Sequence, residues 1–443
     1  MGATQRLIAR GRSVPRSSLP PHVLTWAKHC VLDWLGVTLA GAREPVSRLV
    51  FEQLVRADAG SDATLLGFGT RASVSNAAWL HGTASHALDY DDTHWVMQGH
   101  PSAPVLGALF GLAERERVSG AALLSACVAG IEVECLLGSW VNPSHYALGF
   151  HATGTLGSFG AASAAAHLLE LDEAQWACAL GLAGTQAAGL KSGFGSMAKP
   201  LHVGRAAHAG LVAALLAAAG ATAHPEIVEA AQGFAATHAS ELLLPERDPE
   251  GWQITGTLFK YHAACYLTHA VIEGMLELVR AHALTAAAIS SLELTVDPTC
   301  LGVCDIEAPA TGMQAKFSLK ATAAMAVLGD ATADPAAFND ARARAPELVS
   351  LMRRSQLVTQ PMAATRSRVC VVLRDGTKLN VERDTGVPAS DLGQQEARLR
   401  AKFSRLVPAP AALTDALCEC VLTLEQHPSL DELLALVGRM AAS

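Results

Sequence analysis

The chain has 443 residues, half of them hydrophobic and only 17% charged, which is enough to bury two cores. Its net charge of −8 and the lack of any basic run argue against a nucleic-acid partner. The 10 cysteines are scattered without a CxxC, no hydrophobic leader follows the start, and the longest apolar run, from Ala209 to Ala221, is too short to cross a bilayer. A cytoplasmic protein with reduced thiols and no membrane partner is therefore expected.

Aromatic residues make up 5% of the chain, while Ala, Leu and Gly abound, a mixture that favours packed helices over sheets. The first twenty residues carry Arg6, Arg10, Arg12 and Arg16 and no acid; they read as a solvated helix in preference to a transit peptide. Pro20-Pro21 opens a helix with apolar positions at Val23, Leu24, Ala27, Val31, Leu32 and Leu35, ending near Gly36 and Gly41. Pro104 suits the first turn of the next helix, through Glu114. Further helices are predicted at 120–138, 155–170, 173–188, 204–220 and 224–232, with Asp172 as one N-cap. Small residues at Gly157, Gly160, Ala161 and Ala164, and at Gly204, Ala207 and Gly210, would let helix axes approach closely.

After Gly256 the pattern changes. A helix at about 262–280 precedes an alternating run at 292–296, which reads as a strand, and a helix at 314–328 follows. Ser367 to Leu373 and Thr377 to Glu382 flank Arg374-Asp375-Gly376, a strong hairpin signal. From Asp391 the pattern is helical again. The predicted architecture is mainly α: a large helical domain from 1–256 with 401–443, and a smaller inserted α+β domain, 257–400.

The chemistry concentrates in HALDYDDTHWVMQGHPSAPV, residues 86–105, which holds His86, Asp89, Asp91, Asp92, Thr93, His94, His100 and Ser102. Carboxylates and imidazoles between apolar segments are costly to bury unless paired. If 86–93 is helical, His86, Asp89 and Thr93 share a face, and His100 folds back past Gly99. A carboxylate beside an imidazole fixes its tautomer and raises its basicity, which suits general acid–base work near neutral pH. A helix-end capping network and a metal site are the alternatives, although no HExxH or repeated Cys/His spacing supports a metal.

Three further stretches stand out. Ser144-His145-Tyr146 through His151 to Thr155 places a histidine before a glycine-rich helix start, suited to a carboxylate or to simple helix packing. Lys191 and Lys199 flank a flexible loop that leads to Pro200, Leu201 and His202; either lysine can face a carboxylate or be solvated. Phe259-Lys260-Tyr261-His262 lies at the proposed domain junction, and Cys265 reads as buried packing. There is no GxxxxGK[ST], no GxGxxG after a strand and no GxSxG, so nucleotide binding and a serine nucleophile are not expected.

In this order, VLDWLGVTLAGA, AAWLHGTASHALDYDDTH, GHPSAPVLGALFGLAE, GFHATGTLGSFGAA, MAKPLHVGRAAHAG, FKYHAACYLTHAVIEGM and AKFSL resemble the MmgE/PrpD family over nearly the whole chain. That family handles small di- and tricarboxylates as dehydratases, decarboxylases and epimerases. The resemblance implies a homodimer, a helical domain with an α+β lid, and a cofactor-free site between them. It matches the family's functional positions to Asp89, Thr93, His100, His151, Lys199 and Lys260. One departure is clear: the family's FS-x-x-Tyr reads Phe317-Ser318-Leu319-Lys320-Ala321, so that tyrosine proton donor is absent.

On this footing His100 is the acid or base, oriented by Asp89. Lys199, Lys260 and His151 hold substrate carboxylates or their developing charge, and Tyr146 is a second proton donor. Thr93, Lys191 and His202 complete substrate binding. A lyase is expected. The SHYALGFH and VMQGHPS stretches resemble the epimerase branch, which is the alternative. Further alternatives are a metal hydrolase using Asp91, Asp92 and His94, or a non-catalytic carboxylate-binding protein.

Overall fold

The structure, a computed structural model, describes residues 1–441. The chain forms two compact units, Met1–Phe259 with the segment from Ala389 onward, and Lys260–Pro388. In the first unit the helices are α1 (Ala3–Arg12), α2 (Pro21–Gly41), α3 (Pro45–Val50), α4 (Val74–His86), α5 (Ser102–Arg115), α6 (Gly120–Val141), α7 (Ser144–Ala147), α8 (Ala152–Leu168), α9 (Glu173–Gly184), α10 (Ala198–Ala218) and α11 (Phe234–His238). The second unit holds α12 (His269–His282), α13 (Gly312–Ala315), α14 (Leu319–Leu328), α15 (Asp340–Ala343) and α16 (Pro346–Arg353). The chain then returns to the first unit as α17 (Leu392–Leu406), α18 (Ala411–Leu422) and α19 (Asp431–Ala441). The fold is mainly α, with small sheets.

Helix α10 is central: it packs on α4, α8 and α9, while α8 also packs on α6. Small residues make this possible. A Cβ on Gly210 would stand 2.5 Å from the Ala161 Cβ and 2.6 Å from the Ser158 carbonyl oxygen, so α8 and α10 touch through backbone. By length and composition α6 and α10 could each cross a membrane, a longer apolar span than the 209–221 run suggests; in the unit, 89% and 56% of their apolar windows are buried.

Several predicted elements differ. The first helix is docked rather than solvated. Leu7 and Ile8 are buried, Arg6 pairs with Asp248, Arg10 with the buried Glu132, and Arg12 and Arg16 with Glu173 and Glu170. These partners are far away in sequence. Residues 224–232 turn instead of forming a helix: Pro225 interrupts them, the His224 ring takes the Glu226 N–H, and Gly233 leads into α11. The helical stretch also carries two small ladders, β1 (Ala63–Leu65) with β2 (Thr70–Ala72), and β3 (Thr93–His94) with β4 (Thr257–Leu258).

In the second unit β5 (Ile289–Val296), β6 (Ser355–Thr359), β7 (Arg366–Leu373) and β8 (Lys378–Asp384) form one sheet in the order β6-β5-β7-β8. The β7–β8 hairpin turns at Gly376, whose φ of 90° suits glycine. Strand β6 pairs parallel to β5 and carries no clear alternation in the sequence. Helix α12 covers β7 and β8.

The unit boundaries fall at 259/260 and 388/389 in place of 256/257 and 400/401. Thr257 and Leu258 pair with His94 and Thr93, and α17, capped by Asp391, packs on α2.

A Gly210→Ala substitution tests the α8–α10 contact. It should destabilise the protein by about 1–3 kcal/mol, seen as a lower Tm, because backbone lies where the methyl must go. An unchanged Tm would mean that the two helices are further apart.

Candidate functional site

Helix α4 ends at His86, and the next residues turn sharply. The Asp89 N–H donates to the His86 carbonyl at 3.1 Å, and Asp89 takes a φ of 51°, in the left-handed region. The segment from His86 to Thr93 is therefore not a helix, and the expected common face of His86, Asp89 and Thr93 does not form. The turn instead sends successive carboxylates to different partners.

Asp91 lies between two imidazoles. His86 Nδ1 is 2.8 and 3.0 Å from its two oxygens, and His100 Nδ1 is 3.3 Å away. Asp89 receives Lys199 Nζ at 2.5 Å and lies 3.8 Å from His100 Nε2. His100 thus stands between Asp91, the nearer carboxylate, and Asp89, in ion-pair contact with both, while its Nδ1 makes no hydrogen bond.

His151 sits at the N-terminal cap of α8, its Nδ1 3.2 Å from His202 Nδ1 and its ring edge-on to Phe194. Thr153 Oγ1 accepts the His100 N–H at 3.1 Å. Phe194 also faces Lys199, at 5.2 Å from Nζ to ring centre. The buried His86 Nε2, His100 Nδ1 and His151 Nε2 have no hydrogen-bond partner among the described residues.

The electrostatics follow from burial and pairing. Burial alone would raise Asp91, but the two imidazoles beside it, His100 and then His86, outweigh burial and hold the carboxyl well below its usual range. Burial pushes His86 down to about 4 despite Asp91, so it is neutral near pH 7 and its Nδ1–H donates to Asp91. Burial, then nearby cations, pushes His151 well below its ordinary value. The N-termini of α5, α8 and α10 begin at or beside His100, His151 and Lys199, adding partial positive charge.

His86, Asp89, Asp91 and His100 are grouped closely enough to hold a metal ion. The Lys199 ammonium is already the cation on Asp89. The alternative ligand set of Asp91, Asp92 and His94 is not assembled, since Asp92 accepts from Ser102 Oγ at 2.5 Å and His94 Nε2 faces the Gln253 carbonyl at 2.9 Å.

Thr93 Oγ1 donates to the Gly99 carbonyl at 3.1 Å, closing the 94–99 turn. Lys191 and Tyr146 pair with each other: Nζ donates to the Tyr146 carbonyl at 3.2 Å and stands 3.6 Å from its ring centre. Lys260 is the first residue of the second unit and is buried. In that unit Ala321 is buried in the first turn of α14, and Lys320 pairs with Glu307 at 2.6 Å. Sequence reasoning missed His86 and Asp91 as the partners of His100, and Thr153 as its backbone anchor. The only signal for Asp91 was its place in the same acidic run.

The helical unit brings histidines, carboxylates and a lysine together in one buried cluster. The chain belongs to the MmgE/PrpD family: the N-terminal domain of that family matches residues 11–243 and its C-terminal domain residues 262–424. It is similar to cis-aconitate decarboxylase from Mus musculus, 27% identical over 409 residues, covering 87% of this chain and 83% of the relative. The Homo sapiens protein of that name is 27% identical over 413 residues, covering 88% and 85%. The one from Aspergillus terreus is 28% identical over 296 residues, covering 63% and 60%.

Asp92 yields a pH test. Burial, then the charge of Asp33, raises it from 3.8 to about 8. The folded state keeps its proton where the unfolded state has lost it. Stability from this group is complete below about pH 4 and is lost as pH rises through about 8. Asp92→Asn, which cannot ionise, should gain on the wild type by on the order of a few kcal/mol between pH 5 and pH 9. Chemical denaturation at both pH values checks this; an equal offset at both would mean that Asp92 is ionised throughout.

Proposed function

We propose that this chain is a lyase that moves a proton on carbon beside a carboxylate of a small di- or tricarboxylate, using its own side chains and no cofactor. The observation that carries the reading is His100, held between the buried Asp91 and Asp89 with Lys199 and His151 alongside. The names of the relatives support a carboxylate substrate and a lyase reaction. The resemblance favours a homodimer, and the scattered cysteines without a CxxC favour a cytoplasmic setting.

His100 Nε2, on the far side of the ring from Asp91, is the atom that takes or gives the proton. In decarboxylation a carbon–carboxylate bond breaks, carbon dioxide leaves, and the electron pair left on carbon collects a proton from His100. In dehydration the carbon proton passes to His100, the electron pair forms the double bond, and the hydroxyl leaves as water with the proton that His100 hands on to it. Both place negative charge next to a carboxylate. Lys199, His202 and the three helix N-termini are arranged to receive it, in a buried setting where such charges count strongly. His151 Nε2, buried and unpartnered among the described residues, is a ready donor to a substrate oxygen. With Ala321 at the family's tyrosine position, His100 carries the proton step alone.

Incubation with a panel of di- and tricarboxylates in deuterated water, followed by NMR, tests this. Deuterium incorporation with loss of water or carbon dioxide is expected. His100→Gln should lower turnover about 10²–10⁴-fold while leaving the fold intact; retained turnover would overturn the assignment. Asp91→Asn should lower kcat more than it raises KM, because it disorients His100 without touching substrate.

A further inference from the structure

Behind the His100 cluster lies a second buried ion pair that the mechanism does not use. Lys402, from the last segment of the chain, places Nζ 2.5 Å from Asp33 Oδ1 on α2 and 2.7 Å from the Tyr90 carbonyl oxygen. The ammonium also stands 4.1 Å from the centre of the Tyr90 ring. Lys402 and Asp33 are both almost fully buried. Tyr90 is the residue between Asp89 and Asp91. Its carbonyl belongs to the peptide that leads into Asp91, so fixing that oxygen fixes the plane from which the Asp91 side chain departs.

A lone buried ammonium is expensive, and one aimed at a main-chain oxygen between two site carboxylates is placed where it controls a turn. That turn contains the left-handed Asp89 and has no helix of its own to define it. We infer that Lys402 is a positioning residue for the acid–base site: by holding the Tyr90 carbonyl, with Asp33 as its counter-ion, it sets the divergence of Asp89 toward Lys199 and Asp91 toward His86 and His100. The catalytic consequence rests on the function proposed above; the structural claim does not.

The test removes the pair together, so that no lone charge stays buried. In the full-length Asp33→Asn, Lys402→Met variant the Tyr90 carbonyl loses the Lys402 N–H. In Asp33→Asn, Lys402→Gln an amide N–H can still reach it. With histidine ring nitrogens labelled, the signals of His86 and His100 are read by NMR, with His167 and His238, which pair with Ser125 and Thr237, as controls and near-ultraviolet circular dichroism as the measure of folding. The methionine version should shift His86 and His100 while leaving the controls in place. It should also lose at least tenfold in kcat with little change in KM, and the glutamine version should recover most of both. A folded methionine version with unmoved His86 and His100 signals would overturn the inference. Should that version not fold, hydrogen exchange on the wild type decides: segments 87–94 and 399–406 should lose protection at the same denaturant concentration, and independent opening would overturn it. If no substrate in the panel reacts, the NMR and exchange results still decide the role of Lys402.

Discussion

A carboxylate taken out of water must find its counter-charge inside the protein, and the helical unit is arranged around that demand. Asp91 is buried between the imidazoles of His86 and His100, Asp89 is paired with Lys199, and Asp33 with Lys402. The partners come from α4, from the turn before α5, from α10 and from α17. The same pairs that neutralise the acids therefore join segments far apart in sequence. The Lys199–Asp89 pair spans 110 residues and the Lys402–Asp33 pair 369.

The helices make this geometry possible because they are poor in bulk. Glycine and alanine let α8 and α10 meet through backbone, which brings the start of each helix to the histidine cluster. Helix starts carry partial positive charge and unpaired N–H groups, so close packing and anion stabilisation have a common origin. The acid behind the cluster, Asp92, is kept protonated near neutral pH by burial and by Asp33, and takes its hydrogen bonds from Ser102. Charge is thus kept where a partner exists and suppressed where none does.

Much of the helical pattern was legible because periodicity and caps are local: Asp172 caps α9, and the Asp375-Gly376 turn joins β7 to β8. The acidic and histidine-rich run at 86–100 stood out as the locus of chemistry, and the long motif series fitted one family. What could not be read depends on distance or on a single dihedral angle. The left-handed Asp89 breaks the helical face that the sequence suggested, and Asp91 becomes the carboxylate nearer His100. The docking of the first helix through Arg6 and Arg10 depends on Asp248 and Glu132, which no local pattern connects to it. Strand β6 is placed by a parallel crossover to β5, and Lys402 by the return of the chain to α2, both set by tertiary packing.

The central claim is that Asp91 is an ionised carboxylate held by a neutral His86, leaving His100 to exchange the proton. It is tested most directly by following the two ring nitrogens of His86 by NMR between pH 5 and pH 8. The account predicts one neutral form throughout, with the proton on Nδ1, since protonation of the second nitrogen is pushed down to about pH 4. A His86 that titrates near its ordinary value of 6.5, or that carries its proton on Nε2, would contradict it.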